Sequence, residues 1–242
     1  MTKGYESEKE EAIKEISRQW VPLDKEQEKL FKDNISIEKF NKGEGIYSDE
    51  AFPTHLFYLI KGNVKIYKNG IGKAQIIRAI KPVDPFGYRA YFAGEDYKTA
   101  AMALDKCTVA KIPFNIVSTI LAHNYQFGLS LIKHLSIEIG KSDSRTINLT
   151  QKHIRGRLAE TLLFLKDSYG VDADGCTLSV YLSREDIANM SNMTTSNAIR
   201  TLSAFANEGL IVIDGRKIKI IDDAELRRIS EGGRKVISKM EI

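Results

Sequence analysis

The stretch Leu182–Ile221 reads LSREDIANMSNMTTSNAIRTLSAFANEGLIVIDGRKIKII, and its punctuation decides the fold. Ser183 stands three residues before Asp186. A hydroxyl there accepts from the exposed N–H groups of a helix's first turn, and the acid suits the positive end of that helix. Thr194 repeats the device before a second helix. Between the two, Ser191-Asn192-Met193 leaves room only for a turn. The first helix is expected to bury Ile187, Ala188 and Met190, and the second Ala198, Ile199, Leu202, Phe205 and Ala206. Ser196, Asn197, Arg200, Ser203 and Asn207 then form the outer side. Gly209 ends the second helix, as the residue best able to take a left-handed turn. Two β-branched segments follow, with Asp214-Gly215 expected as the two-residue loop between them. Helix, turn, helix and hairpin make a winged helix-turn-helix.

Such a unit fits double-stranded DNA. A helix enters the major groove with its first turns against the base edges. Here those turns offer Thr195, Ser196, Asn197 and Arg200. Arginine forks onto guanine O6 and N7, and asparagine pairs with adenine N6 and N7. Ser183 and Thr194 at the two helix starts and Lys217 in the hairpin complete the candidate DNA-binding set; Arg216 and Lys219 are further candidates for phosphate contact. The competing reading is a winged fold used only for protein contacts, because fold alone does not fix function. A short, polar and basic outer face argues against it.

At 242 residues and 43% hydrophobic content, the chain suits one large or two ordinary domains with real cores. Net charge is +4, and from Thr150 onward 14 Lys and Arg face 13 Asp and Glu. DNA binding must therefore rest on local arrangement and not on bulk charge. Cys107 and Cys176 are far apart and match no metal spacing, which argues against a disulfide framework and a four-thiolate cluster. His55, His123, His134 and His153 are scattered and make no haem or metal site. No metal or other cofactor is expected. No apolar run spans a bilayer, and the charged N-terminal stretch does not read as a signal peptide, so a cytoplasmic protein is expected. No nucleophile–base pair or paired acid stands in a recognisable motif, so an enzyme is not expected.

Upstream, Ile13, Ile16 and Trp20 fall at helical spacing, and a second short helix follows Pro22-Leu23-Asp24 with Leu30 and Phe31 on its buried side. From Ile35 to Ile112 the pattern changes to short β-rich segments punctuated by glycines, the signature of a small antiparallel barrel or jelly roll. Its clearest piece is Leu56–Gly62, LFYLIKG. Pro113 opens a helical run to about Leu149, broken near His123-Asn124. The second part carries Phe127, Leu131, Ile132, Leu135, Ile137 and Ile139, on more than one face. One face can pack on the barrel; a twin helix across a two-fold axis is the economical cover for the other, and that symmetry matches palindromic sites. Asn148-Leu149-Thr150 is the expected hinge, dividing an effector-sensing domain with its dimerisation helix (1–149) from a DNA-binding domain (150–242). A helix from His153 to Tyr169, a strand at Leu178–Leu182 and a basic terminal helix from Ala224 to Ile242 complete the expected α+β architecture. Asp172-Ala173-Asp174-Gly175 lacks the remaining ligands of a calcium loop and reads as a polar turn.

A glycine-rich barrel, a long dimer helix and a C-terminal winged helix together resemble the cyclic AMP receptor protein / fumarate–nitrate regulator (Crp/Fnr) family. LFYLIKG is similar to the family's barrel strand and turn, Ile154–Ala159 to its post-hinge helix, and Leu182–Leu202 to its DNA-reading unit. The likeness runs from about Leu23 to Ile221. It implies a homodimeric transcription factor that couples a cyclic-nucleotide-binding-like jelly roll to promoter binding, with RNA polymerase as a partner and a small-molecule effector.

The departures lie in the effector pocket. The family's cyclic AMP binders place a glutamate after Phe-Gly for the ribose and an Arg-Ser pair for the phosphate. Here Phe86-Gly87 is followed by Tyr88, and the Arg-Ser position holds Tyr97-Lys98 or Lys98-Thr99. Lys98 can neutralise a phosphate without arginine's fork. Ser142 stands where the family places a hydroxyl against adenine. Gly87, Tyr88, Arg89, Lys98, Thr99 and Ser142 are the candidate pocket residues, and their pattern argues against cyclic AMP, leaving another anion or none. In the DNA-reading helix, Ser196 replaces the family's common glutamate while Arg200 keeps its arginine. The alternative function is a cyclic-nucleotide-sensing module that acts through a protein partner.

Overall fold

The computed structural model describes residues 2–20, 23–70 and 74–232. The chain forms two compact units, Met1–Lys141 and Ser142–Ile242. The first begins with α1 (Thr2–Gln19) and α2 (Lys25–Asn34). Asp24 caps α2: its carboxylate accepts from Glu26 N and Gln27 N, while Gln27 reaches back to the cap nitrogen. Then come β1 (Ser36–Phe40), β2 (Gly45–Tyr47), β3 (His55–Lys61), β4 (Val64–Asn69), β5 (Ala74–Ile80), β6 (Pro85–Phe86), α3 (Tyr88–Ala93), β7 (Ala100–Ala103) and β8 (Cys107–Pro113). They make two antiparallel four-stranded sheets, ordered β1-β8-β3-β6 and β2-β7-β4-β5.

The run LFYL in β3 explains how this barrel is covered. Side chains alternate across a strand. Phe57 and Leu59 join the core shared with Val64, Ile66, Ile80, Ala101 and Val109 of the other strands. Leu56 and Tyr58 join a second core with Ile13, Ile16, Phe31, Val117, Ile120, Phe127 and Leu131 of the helices. Both faces are buried, so the sequence there is continuously apolar instead of alternating. The sequence pattern predicts strands at Ile35–Phe40, Leu56–Ile60, Val64–Tyr67, Gln75–Ile80, Thr99–Leu104 and Thr108–Ile112, and β2, β6 and α3 lie outside these segments.

α4 (Phe114–His123) and α5 (Tyr125–Gln151) follow, with the break at Asn124 as expected. α5 is 27 residues long and continues from the first unit into the second. The hinge expected at 148–150 lies inside it; the helix ends at Gln151, and the chain bends at Lys152. Intrahelical bonding persists there because the second unit grips that end. Arg157 donates to the Leu149 carbonyl at 3.2 Å, Arg145 donates to the Met190 carbonyl at 3.1 Å, and Lys152 pairs with Glu160 at 2.6 Å.

The second unit contains α6 (Ile154–Tyr169), α7 (Arg184–Met190), α8 (Thr195–Asn207), β9 (Ile211–Asp214), β10 (Lys217–Ile220) and α9 (Asp223–Ser230). The strand expected at 178–182 is reduced to isolated bridges, Val171 with Leu178 and Thr177 with Lys219. The hairpin register pairs Asp214 with Lys217, so its loop is Gly215-Arg216 and not Asp214-Gly215. The terminal helix spans Asp223–Ser230 within the described residues, and the part expected from 233 to 242 lies outside them. Among the described residues no helix is long and apolar enough to cross a membrane, and no group of three or more His, Cys, Asp or Glu is placed to hold a metal ion.

Candidate functional site

The two helix starts are built as their sequence suggests. Ser183 Oγ accepts from Asp186 N at 3.0 Å and donates to the Asp186 carboxylate at 2.8 Å. Thr194 Oγ1 accepts from Asn197 N at 3.2 Å. In the turn between, Met193 N donates to the Ala188 carbonyl at 3.0 Å, and Asn192 takes a left-handed φ of 49°, which asparagine tolerates better than most residues. The fully buried Ser191 hydroxyl lies 2.8 Å from the Ile187 carbonyl and 2.9 Å from the Thr161 hydroxyl, tying α7 to α6.

α8 packs through Ala198, Thr201, Leu202 and Phe205. Its C-terminal end is fastened to α6. Arg155 forks onto Glu208 at 2.8 and 2.6 Å and lies over the Phe205 ring at 4.9 Å. The N-terminal half stays open. Thr195, Ser196 and Arg200 are exposed there. Arg200 donates to the Asn197 side-chain oxygen, so the two expected base readers form one hydrogen-bonded pair along the first two turns of α8. Ile199 departs from the sequence expectation. It is 47% exposed and joins this outer surface instead of the core. The reason is angular: the core side centres on Ala198, Leu202 and Phe205, and Ile199 lies beyond its edge, beside Thr195 and Ser203, each about one turn away.

The wing adds cations. Gly215, with φ 56°, holds the first central position of its loop, where a II′-type turn needs glycine. Arg184 donates to the Gly215 carbonyl at 2.7 Å and so ties the wing tip to the start of α7. The sequence reading did not single out Arg184; nothing local signals a contact across 31 residues. Lys217 is exposed, with its ammonium 5.6 Å from the Tyr181 ring centre, and Arg216 is exposed too. Lys219 is 3.4 Å from the Asp174 carboxylate, which offsets its charge.

The barrel interior is aromatic. Tyr47 and Tyr97 stack at 4.0 Å, Phe57 and Phe86 at 5.2 Å, and Tyr47 lies 5.7 Å from Phe57. Gly87 closes against them with φ 79°; a Cβ there would come within 2.5 Å of the Phe57 ring and 3.2 Å of the Tyr97 hydroxyl. Burial pushes the Tyr47 hydroxyl up to about 12, and the neighbouring Thr99 side chain acts in the opposite direction. Of the candidate pocket residues, Gly87 and Thr99 therefore meet these rings.

Tyr88 does not line that interior. It is buried in the helix-side core, and its hydroxyl meets His134 Nδ1 of α5 at 2.7 Å. Burial pushes that hydroxyl up to about 12 and holds His134 down at about 4, with the Arg78 charge acting in the same direction on the imidazole. Lys98 is exposed and pairs with Glu95. Arg89 is exposed on α3. Ser142, also exposed, begins the second unit. A cation the sequence reading missed is Arg78 of β5, 2.8 Å from the Glu138 carboxylate of α5. Burial works against ionisation of Glu138, yet Arg78 and Lys141 together hold its carboxyl below the ordinary carboxylate range.

α5 also carries an uncovered stripe that is apolar apart from one serine. Tyr125, Leu129, Ile132, Ser136 and Ile139 recur at steps of four and three, the spacing of a two-helix seam. Ile132 is 62% and Ile139 54% exposed.

The family described as the Crp-like helix-turn-helix domain matches residues 156–229, and the cyclic nucleotide-binding domain family matches residues 37–124. The nitrogen fixation regulation protein FixK of Azorhizobium caulinodans is 25% identical over 194 residues, 78% of this chain and 77% of its own length. The electron transport regulator A of Shewanella oneidensis is 27% identical over 195 residues, 80% of this chain and 78% of its own. Among solved structures, FixK2 from Bradyrhizobium japonicum superposes with a TM-score of 0.73 at 21% identity, over 81% of this chain and 96% of that one, a likeness of fold.

Proposed function

Because the chain belongs to the Crp/Fnr family of transcriptional regulators, we propose that it acts as a cytoplasmic homodimer which sets two α8 helices into successive major grooves of promoter DNA, contacts RNA polymerase there, and answers to an effector at the barrel. The observation that carries this is the open N-terminal half of α8. Both helix starts are capped, the far end is pinned by Arg155–Glu208, and Thr195, Ser196 and Arg200 are left free of packing. In this reading Arg200 and Asn197 exchange their mutual bond for base edges, while Ser183, Thr194 and Lys217 meet phosphates. The α5 stripe pairs with its twin, so that both half-sites are read together. The test is a titration of the protein against matched and mismatched duplexes at several salt concentrations. Absence of sequence preference at every salt concentration defeats the reading.

Cyclic AMP is not the effector in this proposal. Tyr88 offers no carboxylate to a ribose, and its hydroxyl is already engaged by His134. Lys98 is neutralised by Glu95. Calorimetry with cyclic AMP is expected to give no binding in the micromolar range; a micromolar dissociation constant would reverse this.

A further inference from the structure

Resting on the DNA-reading assignment of α8, we infer that Ile199 is a specificity-determining residue that reads the 5-methyl group of a thymine beside the base met by Arg200. A single exposed isoleucine is ordinary on a protein surface. Its place is what distinguishes this one. Within α8, Ala198, Leu202 and Phe205 are buried, whereas Ile199 is 47% exposed. It lies in the first half of a 13-residue helix, on the part of its surface free of packing. Its exposed neighbours there are Thr195, Ser196, Arg200 and Ser203, three short hydroxyl side chains and one cation. One aliphatic group among them is too small a patch to dock a protein partner.

The major groove presents one apolar group on its unmodified bases, the C5-methyl of thymine. An isoleucine is well made to meet it. In a helix its branched Cβ holds one dominant χ1 rotamer, so the contact orders little that is not already ordered. Short neighbours at Thr195 and Ser196 let the helix approach closely enough for the side chain to touch a base edge. The half-site should therefore hold a thymine at a fixed step from the guanine contacted by Arg200.

The experiment uses the full-length protein. Binding duplexes are selected from a random pool, and each thymine of the recovered half-site is replaced in turn by deoxyuridine. That change removes the methyl and keeps every hydrogen-bonding group. Wild-type protein is expected to lose roughly fourfold in affinity per half-site at one position, the effect of unburying one methyl. Ile199→Ala, at a half-exposed site that leaves the core intact, is expected to bind the thymine and uracil duplexes of that position alike. If wild type ignores the substitution at every position while keeping its sequence preference, this inference fails and the DNA-reading assignment stands. It fails equally if Ile199→Ala keeps the discrimination. Recovery of no preferred duplex overturns both.

Discussion

Arg200 and Lys217 carry the same charge, yet their loss should leave different signatures. Arg200→Ala removes a fork onto a base, so it is expected to cost roughly 1–3 kcal/mol per half-site and to relax preference at one base pair. Lys217→Ala removes a phosphate contact; binding should weaken on all sequences alike, and the slope of log affinity against log salt should fall by about one. Both are read from titrations on matched and mismatched duplexes. If Arg200→Ala keeps full affinity and preference, α8 is not the reader. A second residue-scale prediction concerns His134. Its folded pKa is lowered to about 4, whereas the unfolded chain takes up the proton near the ordinary value of about 6.5. A lowered folded value contributes stability above the unfolded one and loses it as pH falls between the two. The melting temperature should drop from about pH 6.5 to about pH 4, and His134→Gln should flatten that part of the curve. At Gly87, alanine meets both a positive φ and the Phe57 ring, so Gly87→Ala should destabilise by about 1–3 kcal/mol in chemical denaturation.

At the scale of elements, caps were the most legible signal. Ser183 and Thr194 are caps in the structure because a hydroxyl two or three residues before open N–H groups has a local task, and local tasks leave local patterns. Thr194→Ala should cost about 1 kcal/mol of stability and loosen the start of α8. β2, β6 and α3 were not legible, since strands of three and two residues and a six-residue helix are too short to establish a period. The hairpin was expected correctly but its loop lay one residue too early: Gly215 opens the turn instead of closing it. Ile199 was misplaced for a related reason. Aliphatic character marks an amphipathic stripe, yet the stripe's edge is set by what packs against it, and here the packing covers Ala198, Leu202 and Phe205 and stops short of Ile199.

For the whole molecule, the order of barrel, long helix and winged unit could be read from glycine spacing, helical period and cap signals. The pairs that define the candidate site could not. Tyr88 with His134 spans 46 residues and Arg184 with Gly215 spans 31, and each depends on how the chain closes. The dimer proposal belongs to this scale. Ile132→Glu and Ile139→Glu place charge on the uncovered stripe of α5 and should give a monomer by light scattering, with loss of DNA binding because one half-site contact no longer supports the other. A wild-type chain that is monomeric at micromolar concentration, or an Ile132→Glu chain that stays dimeric, would count against the seam.

The junction between barrel and long helix also has an optical side. The chain contains one tryptophan, Trp20. Its indole N–H donates to the Val83 carbonyl at 2.6 Å, and its ring meets the His134 ring edge-on at 4.9 Å. Indole emission responds to local polarity and is quenched by a protonated imidazole. The native protein therefore carries an unlabelled fluorophore at the place where Tyr88 of the barrel touches α5. Light from Trp20 should dim as His134 takes up its proton, and a compound that disturbs the Tyr88–His134 contact should change the emission of the intact protein.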